Sequence, residues 1–268
     1  MSQPASLRPR ILSALVFGVL LIGCLWIDTW SWRVLLCFFA VVLLYELSAF
    51  FWKGIADRTG QRIAIGVWSL VFMAWITDLI PFSVLSLTVV FWIIALTTLL
   101  RYRMEAWSPV LFHALMPLYI MVPLYLADGL RLEAGGAMGV FALFLLLWAD
   151  DVGAYFIGSW WGKTPFAPQI SPKKTWEGTL GGALLAAGIG ALIGRYGLHL
   201  QPWQGGLTGL VVAFFGTLGD LFESMIKRHF GVKDSGTIMP GHGGLLDRLD
   251  SFLVAMVPYY VMMEFFSK

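Results

Sequence analysis

Apolar residues follow one another almost without interruption along this chain, and this feature restricts what it can fold into. Of its 268 residues, 59% are hydrophobic and only 13% are charged, whereas a soluble domain carries about a quarter charged residues. So few polar atoms cannot cover the surface of a water-soluble domain. The sequence therefore predicts an all-α protein that crosses a lipid bilayer several times. The net charge of +2 is small and by itself says nothing about nucleic acid. We expect no nucleic-acid partner for a protein of this membrane class.

About nine segments have the length and composition of membrane spans. A helix needs about 20 mainly apolar residues to cross the hydrocarbon core. The predicted spans are Ile11–Ile27, Val34–Trp52, Ile63–Ile80, Phe82–Leu100, Pro109–Ala127, Met138–Gly158, Gly178–Gly194, Gly205–Ile226 and Leu246–Phe266. The third and fourth are short and almost adjoin, so a single hairpin or a re-entrant pair is an alternative for them. The first segment resembles a signal peptide but lacks a small-residue cleavage pattern, so we predict a transmembrane helix there.

The distribution of Lys and Arg predicts the orientation, because these residues accumulate on the cytoplasmic side. With nine spans and a cytoplasmic N-terminus, fourteen of the 18 Lys and Arg residues fall in cytoplasmic segments and four outside. Eight or ten spans would move some of them to the wrong side. We predict one transmembrane domain over residues 1–268, in which residues 1–136 are a lipid-facing scaffold and residues 137–268 carry the chemistry. Its two longest polar connections, Ser159–Glu177 and Lys227–Leu245, would face the cytoplasm.

Acidic residues inside or at the ends of these spans are candidates for function, because a charge in the bilayer is costly. Asp151, Asp220 and Asp247 belong to three different predicted helices near the same membrane face. Together they predict a site for a hard divalent cation, and Mg²⁺ prefers such oxygens. Taken singly, Asp250 or Glu223 could equally serve in an ion pair between helices or as a helix cap.

Basic residues and glycines accompany these acids in the two polar connections. Lys173 and Lys174 lie in the first connection, and Lys227, Arg228 and Lys233 lie in the second. Glycines let a backbone approach a phosphate group closely, and cations bind phosphate. The alternative, an anchor on the cytoplasmic side, leaves unexplained why glycines, a histidine and acids share one short segment.

The C-terminal half resembles a known family. Residues 224–250 contain S-M-I-K-R, then K-D-S-G, then P-G-H-G-G-L-L-D-R-L-D. This pattern resembles the phosphatidate cytidylyltransferase family, also called CDP-diacylglycerol synthase, at every fixed position and spacing. The segments D-V-G-A-Y at 151–155 and S-P-K-K-T-W-E-G at 171–178 resemble two further motifs of that family. The N-terminal half matches only as hydrophobic spans.

The resemblance implies a reaction and its components. The phosphate of phosphatidate would attack the α-phosphorus of CTP, giving CDP-diacylglycerol and pyrophosphate in phospholipid biosynthesis. It also implies Mg²⁺, with K⁺ as a candidate second cation, and a homodimer in the membrane. The short form of the chain is typical of a bacterial protein, so we expect it in the cell (inner) membrane.

The roles of individual residues are hypotheses. Asp220 and Asp247 are the expected metal ligands, with Asp151 and Asp250 as further ligands or partners of the ligands. The residues expected to hold the triphosphate or the lipid phosphate are Lys173, Lys174, Ser224, Lys227, Arg228, Lys233, Asp234, Gly243, Gly244 and Arg248. His242 is expected to contact the leaving pyrophosphate, with a hydrogen bond that packs the loop as the alternative.

Three other functions fit parts of the pattern. A CTP-dependent lipid kinase would also need Mg²⁺ and a site facing the lipid, but it would transfer the γ-phosphate. A transporter tends to have inverted repeats and broken helices at mid-membrane, whereas these charged motifs cluster toward one end of the spans. A structural scaffold leaves the acid cluster unexplained.

Overall fold

The protein is mostly helical. The computed structural model describes residues 7–51, 59–79, 109–133, 136–241 and 243–267. The helices in these ranges are α1 (Leu7–Ile27), α2 (Thr29–Phe51), α3 (Thr59–Ile76), α4 (Pro109–Leu132), α5 (Gly136–Trp161), α6 (Trp176–Gly197), α7 (Pro202–His229) and α8 (Leu246–Phe266). Two short strands, β1 (Pro165–Ala167) and β2 (Ser171–Thr175), lie between α5 and α6.

Among the described residues, five helices are long and apolar enough to cross a membrane, namely α2, α5, α6, α7 and α8. Shorter apolar stretches, Ile11–Ile27 and Gln61–Ile76, lie in α1 and α3. The length and composition of these helices therefore confirm the prediction of an α-helical protein with several membrane spans. The predicted span Phe82–Leu100 lies outside the described residues.

The chain forms two compact units, each built from two stretches of sequence. The first unit comprises Met1–Tyr125 and His229–Leu249. The second unit comprises Leu126–Arg228 and Asp250–Lys268. The second stretch of the first unit contains the loop from Lys233 to Leu245, which we call the signature loop because it carries the K-D-S-G and P-G-H-G-G motifs. The structure describes all of this loop except His242.

In the first unit, α1 and α2 are joined by a tight connection at Asp28. Its Oδ1 accepts a hydrogen bond from the backbone N–H of Ser31 at 2.7 Å, and the N–H of Asp28 donates to Oγ of Ser31 at 3.3 Å. This reciprocal pair satisfies N–H groups that the start of a helix leaves without an intrahelical partner. The rings of Phe17 and Phe39 stack with their centroids 5.9 Å apart, which packs α1 against α2.

In the second unit, small residues let α6 approach its two neighbours closely. The buried residues of α6 recur every four positions: Gly178, Gly182, Ala186, Gly190 and Gly194. A Cβ atom at Gly178 would lie 3.0 Å from Cα of Gly158 on α5. One at Gly190 would collide with the backbone carbonyl of Gly205 on α7. Close backbone contact of this kind is a common source of helix association in lipid.

Helices α7 and α8 also meet through glycine in the second unit. A Cβ atom at Gly219 would lie 2.6 Å from the carbonyl oxygen of Asp250 and 2.9 Å from Cα of Ser251. Further along α8, the ring of Phe252 stacks on Phe144 of α5 with centroids 4.7 Å apart. The absence of a side chain at Gly219 therefore allows the acidic end of α8 to lie directly against α7.

The two strands form a hairpin that the sequence analysis did not predict. They pair antiparallel, with Pro165 opposite Thr175 and Ala167 opposite Ser171. Thr175 ends the hairpin and also begins α6, because its Oγ1 accepts a hydrogen bond from the N–H of Gly178 at 3.2 Å. The predicted cytoplasmic connection is thus a folded element that is continuous with the start of a helix.

Candidate active site

Three acidic side chains converge in the second unit and form what we call the acid cluster. Asp220 and Glu223 come from α7, and Asp250 comes from α8. One carboxylate oxygen from each lies within 4.8 Å of the other two. Glu223 is only 1% exposed and Asp250 is 9% exposed. Side chains three residues apart lie on the same face of a helix, so the spacing of Asp220 and Glu223 directs both toward α8.

Two lysines neutralise part of this cluster. Nζ of Lys174 lies 2.7 Å from Oδ2 of Asp220. Lys227 forms an ion pair with Glu223 one turn earlier on α7. The hydroxyl of Ser224 donates to Oδ1 of Asp220 at 3.2 Å. Since isolated buried charges are very costly, the paired lysines explain how three acids can lie together at the end of apolar helices.

The hairpin and the first turn of α6 place Lys174 at the cluster. The carboxylate of Glu177 accepts hydrogen bonds from the backbone N–H of Thr164 at 3.1 Å and from its hydroxyl at 2.8 Å. The backbone N–H of Lys163 donates to the same carboxylate at 3.2 Å. These bonds hold the start of β1 against the start of α6. The backbone N–H of Trp176 also donates to the carbonyl of Thr164 at 2.9 Å, which adds a further contact between these two segments.

A cleft of about 380 Å³, lined in part by charged side chains, opens beside these elements in the second unit. Its lining includes Asp150, Asp151, Lys173, Lys174 and Thr217. Lys174 therefore belongs both to the cleft wall and to the ion pair with Asp220 of the acid cluster. The cleft has both signs of charge, and its volume falls in the range of small-molecule sites, roughly 300–1,000 Å³.

The signature loop of the first unit is organised around Asp247. Oδ2 of this residue accepts hydrogen bonds from the backbone N–H of Ser235 at 2.9 Å and of Gly244 at 2.8 Å. Gly243 has a φ of +87°, a region that side chains disfavour. Its Cβ would also lie 2.6 Å from Oδ2 of Asp247. The glycine pair therefore gives the backbone the shape that brings its N–H groups to the carboxylate.

The other predicted residues in and just after this loop differ in exposure. Lys233, Asp234 and Arg248 are exposed, and Gly244 is buried. His242 lies outside the described residues, so its expected contact with pyrophosphate stays a prediction.

An apolar groove of about 510 Å³ lies against the signature loop, also within the first unit. Helices α1 and α2 supply most of its wall, including Val16, Leu20 and Phe39, and the loop supplies Met239 and Pro240. The hydroxyl of Ser13 on α1 donates to the carbonyl of Pro240 at 3.1 Å, which ties the loop to this groove.

The structure brings several of the predicted residues together. Asp220, Ser224, Lys227, Asp250 and Lys174 meet in and around the acid cluster, and Asp151 and Lys173 line the cleft that Lys174 shares. Arg228 is exposed near the end of α7. Asp247 belongs to the first unit, where its Oδ2 holds the signature loop.

Glu223 was given no metal-binding role by the sequence analysis, although its spacing from Asp220 placed the two on one face. Glu46 of α2 was overlooked entirely. It lies alone in an apolar run, and nothing in its sequence neighbourhood indicates a partner.

The acid cluster has the donor set that a hard divalent cation requires. Its three carboxylates supply only oxygen ligands, which Mg²⁺ prefers over nitrogen or sulfur. Their oxygens already converge, and the ion pairs with Lys174 and Lys227 show that this place attracts positive charge. Asp220, Glu223 and Asp250 therefore fit such an ion.

A family model of known proteins matches most of the chain. The model described as "Cytidylyltransferase family" matches residues 8–266. This chain belongs to the cytidylyltransferase family. The resemblance drawn from the motifs in the C-terminal half is therefore confirmed, and the match extends over the N-terminal helices as well.

Individual relatives are also similar to this cytidylyltransferase-family chain. A Mycobacterium bovis protein named phosphatidate cytidylyltransferase is 41% identical over 150 residues, covering 54% of this chain and 48% of the relative. Bacillus subtilis and Haemophilus influenzae proteins of the same name are 43% identical over 160 residues and 37% identical over 191 residues. These two matches cover 58% and 65% of this chain, and 59% and 66% of the relatives. The matched part thus spans about half to two thirds of these relatives.

Proposed function

We propose that this protein is a phosphatidate cytidylyltransferase, which transfers the cytidylyl group of CTP to phosphatidate and forms CDP-diacylglycerol and pyrophosphate. The observation that carries the proposal is the ion pair between Lys174 and Asp220, because it joins a cleft lined by lysines to a cluster of three carboxylates. Such a combination suits a triphosphate and its metal ion. The names of the bacterial relatives support the same reaction.

In the proposed reaction, an oxygen of the phosphatidate phosphate attacks the α-phosphorus of CTP. The bond between that phosphorus and the oxygen bridging to the β-phosphorus breaks, and the electron pair leaves with pyrophosphate. No general base is needed, because the attacking phosphate is already ionised. The protein must chiefly overcome the repulsion between two anions and hold them in line, as in other phosphoryl transfers.

The chain's own cations meet this requirement in the proposal. Lys173 and Lys174 line the cleft and would bind the triphosphate. Lys227, which pairs with Glu223, would supply positive charge at the acid cluster. We assign the exposed Arg228, Lys233 and Arg248 to phosphate binding as well. Charged donors fixed in a site of restricted solvent access stabilise developing negative charge more strongly than they would in water.

Asp220, Glu223 and Asp250 are the residues that would hold Mg²⁺, with Asp151 as a further partner and K⁺ as a candidate second cation. When bound, the ion would neutralise phosphate charge and favour departure of the leaving oxygen. Asp247 was also a predicted ligand. Its hydrogen bonds to the signature loop support a role in organising that loop.

The proposal includes the setting of the reaction. We infer nine spans with a cytoplasmic N-terminus in the cell (inner) membrane of a bacterium, and a homodimer, as the distribution of Lys and Arg and the family resemblance suggest. The apolar groove beside the signature loop supports a lipid substrate, since it would accept an acyl chain close to the motif that would handle the headgroup.

The test uses purified protein in detergent with phosphatidate, Mg²⁺ and labelled CTP. With the label on the α-phosphorus, we expect it to appear in a lipid while unlabelled pyrophosphate is released. Label transferred from the γ-phosphorus instead would identify a lipid kinase. Movement of a labelled solute across vesicles without lipid turnover would identify a transporter, and either result would overturn the proposal.

A further inference from the structure

A buried glutamate in the N-terminal half contacts the signature loop. Glu46 lies in the C-terminal part of the apolar helix α2, before that helix ends at Phe51, and is only 2% exposed. A carboxylate in a membrane span is costly unless protein groups hydrogen-bond to it. Neither the reaction proposed above nor the motifs of the C-terminal half give this residue a role.

Within the part of the chain that the structure describes, the hydrogen-bond partners of the Glu46 carboxylate come from the signature loop and the residue that follows it. Its Oε1 accepts a hydrogen bond from the backbone N–H of Leu245 at 3.0 Å. Its Oε2 accepts one from the N–H of Leu246 at 2.8 Å. The hydroxyl of Ser235 lies 3.3 Å from the same Oε2 and 3.0 Å from Oδ2 of Asp247. Since a hydroxyl has one proton, Ser235 donates to one carboxylate at a time and bridges the two.

These bonds place the carboxylate at the start of α8. The first N–H groups of a helix have no intrahelical partner, and negative charge is favourable at that end. A side chain within the same segment usually supplies the acceptor. Here α8 begins at Leu246, and Glu46 supplies an acceptor from a helix about 200 residues earlier.

The carboxylate of Glu46 also explains two glycines of the family motifs. A Cβ atom at Gly236 would lie 2.5 Å from Oε1, and its three nearest atoms all belong to Glu46. One at Gly244 would collide with Oγ of Ser235 and lie 2.6 Å from Oε2 of Glu46. Neither glycine has a positive φ, so space rather than backbone conformation excludes a side chain there.

We propose that Glu46 is a positioning residue for the cytidylyl transfer. It fixes the signature loop and the start of α8 to α2, and thereby sets the orientation of Asp247 and of Lys233 in the loop. The kinetic part of this inference rests on the proposed function. The N-terminal helices would then be more than a scaffold, because one of their side chains holds the loop in its working conformation.

Hydrogen exchange of backbone amides tests the contact without reference to activity. Full-length Glu46→Gln keeps the size of the side chain but replaces one acceptor oxygen with a donor, so one backbone N–H loses its partner. We expect exchange in the peptide from Ser235 to Leu249 to accelerate roughly tenfold to a hundredfold, the effect of one hydrogen bond to a charged group. Unchanged exchange in this peptide would overturn the proposal.

The matched control is Ser48→Ala, on the same helix. Ser48 is 3% exposed, and its hydroxyl accepts a hydrogen bond from Nε2 of Gln61 at 2.8 Å. Its loss should loosen α2 against α3 without changing exchange in the loop peptide. Equal acceleration in both variants would show a general loosening of the unit and would also overturn the proposal.

A double-mutant cycle tests whether the carboxylate of Glu46 leaves no room for a side chain at Gly236. Gly236→Ala should accelerate exchange of the loop in the natural background, because the new methyl group meets the carboxylate. In a Glu46→Ala background, the same change should have little further effect, since the obstructing atoms are gone. Additive effects of the two changes would contradict the contact.

Enzyme kinetics distinguish a failure of the positioning role of Glu46 from a failure of the proposed function. If the protein transfers α-label from CTP to lipid, Glu46→Gln should lower kcat/KM by roughly tenfold to a hundredfold, while Ser48→Ala stays near the natural value. Near-normal kcat/KM in Glu46→Gln would overturn the positioning role. If the natural protein transfers no label, the proposed function fails, and the exchange measurements still decide whether Glu46 holds the loop.

Discussion

Replacing Gly219 with alanine should separate α7 from α8 at the acid cluster. The added Cβ would lie 2.6 Å from the carbonyl oxygen of Asp250, where ordinary contact begins at 3.4 Å. The neighbouring atoms are backbone, so no side chain can rotate away. The helices must therefore part locally by about 0.8 Å, since protein interiors have no spare space to absorb the methyl group.

This displacement should affect both stability and turnover. Extra methyl groups in a well-packed interior cost about 1–3 kcal/mol. Asp220 follows Gly219 directly, and Asp250 is the residue that is pushed away, so the separation falls on two members of the cluster. A misplacement of about 1 Å in a catalytic site can lower the rate roughly a hundredfold. We therefore expect Gly219→Ala to fold with reduced stability and to lose most of its transfer activity.

The assay measures transfer of α-label from CTP to lipid, together with thermal unfolding of the purified variant in detergent. Gly206→Ala is the control on the same helix, because a Cβ there would have its nearest neighbour at 3.6 Å. Alanine favours a helix over glycine by up to about 1 kcal/mol, so this control should be active and at least as stable. Natural turnover in Gly219→Ala would refute the claim that close contact of α7 and α8 sets the geometry of the cluster.

Three further changes test other parts of the account. Lys174→Met should raise KM for CTP by about tenfold or more in steady-state kinetics, because one charge-assisted contact is lost. Lys163→Met is the control and should leave KM unchanged, because Lys163 contacts Glu177 through its backbone. Thr175→Ala removes the cap of α6 and should lower the free energy of unfolding by about 1 kcal/mol, measured by thermal unfolding, and an unchanged midpoint would contradict the assigned cap. Val16→Trp should obstruct the apolar groove and lower turnover of long-chain relative to short-chain phosphatidate by roughly fivefold or more. Val19→Trp should not, because Val19 is 69% exposed and lies outside the groove lining. Equal effects of the two variants would contradict binding of an acyl chain in the groove.

Much of the helical framework follows from the sequence, because length and hydropathy determine membrane spans directly. The predicted segment Leu246–Phe266 has the same limits as α8, and Met138–Gly158 lies within α5. The hairpin could not be predicted in this way. Its second strand reads S-P-K-K-T; it lacks the apolar–polar alternation that indicates strands, and only its last residue is β-branched.

The candidate site was predictable where chemistry depends on local spacing. The three-residue separation of Asp220 and Glu223 places them on one face of α7 in any helix. The contact of Lys174 with Asp220 joins residues far apart in sequence and depends on how the hairpin folds back on α6. Glu46 shows most clearly where prediction from local sequence ends. Its partners lie about 200 residues away, and its apolar neighbours give no indication of them.

The most direct test of the central claim compares two single neutralisations of acids in the second unit. Asp220→Asn removes a member of the acid cluster, whereas Glu133→Gln changes an exposed acid outside the cluster, whose Oε2 accepts a hydrogen bond from the hydroxyl of Tyr260 at 3.1 Å. Both purified proteins are assayed for Mg²⁺-dependent transfer of α-label from CTP to phosphatidate. We expect Asp220→Asn to insert and fold but to transfer no detectable label, while Glu133→Gln should retain activity. Near-normal transfer by Asp220→Asn would contradict the assignment of the reaction to the acid cluster.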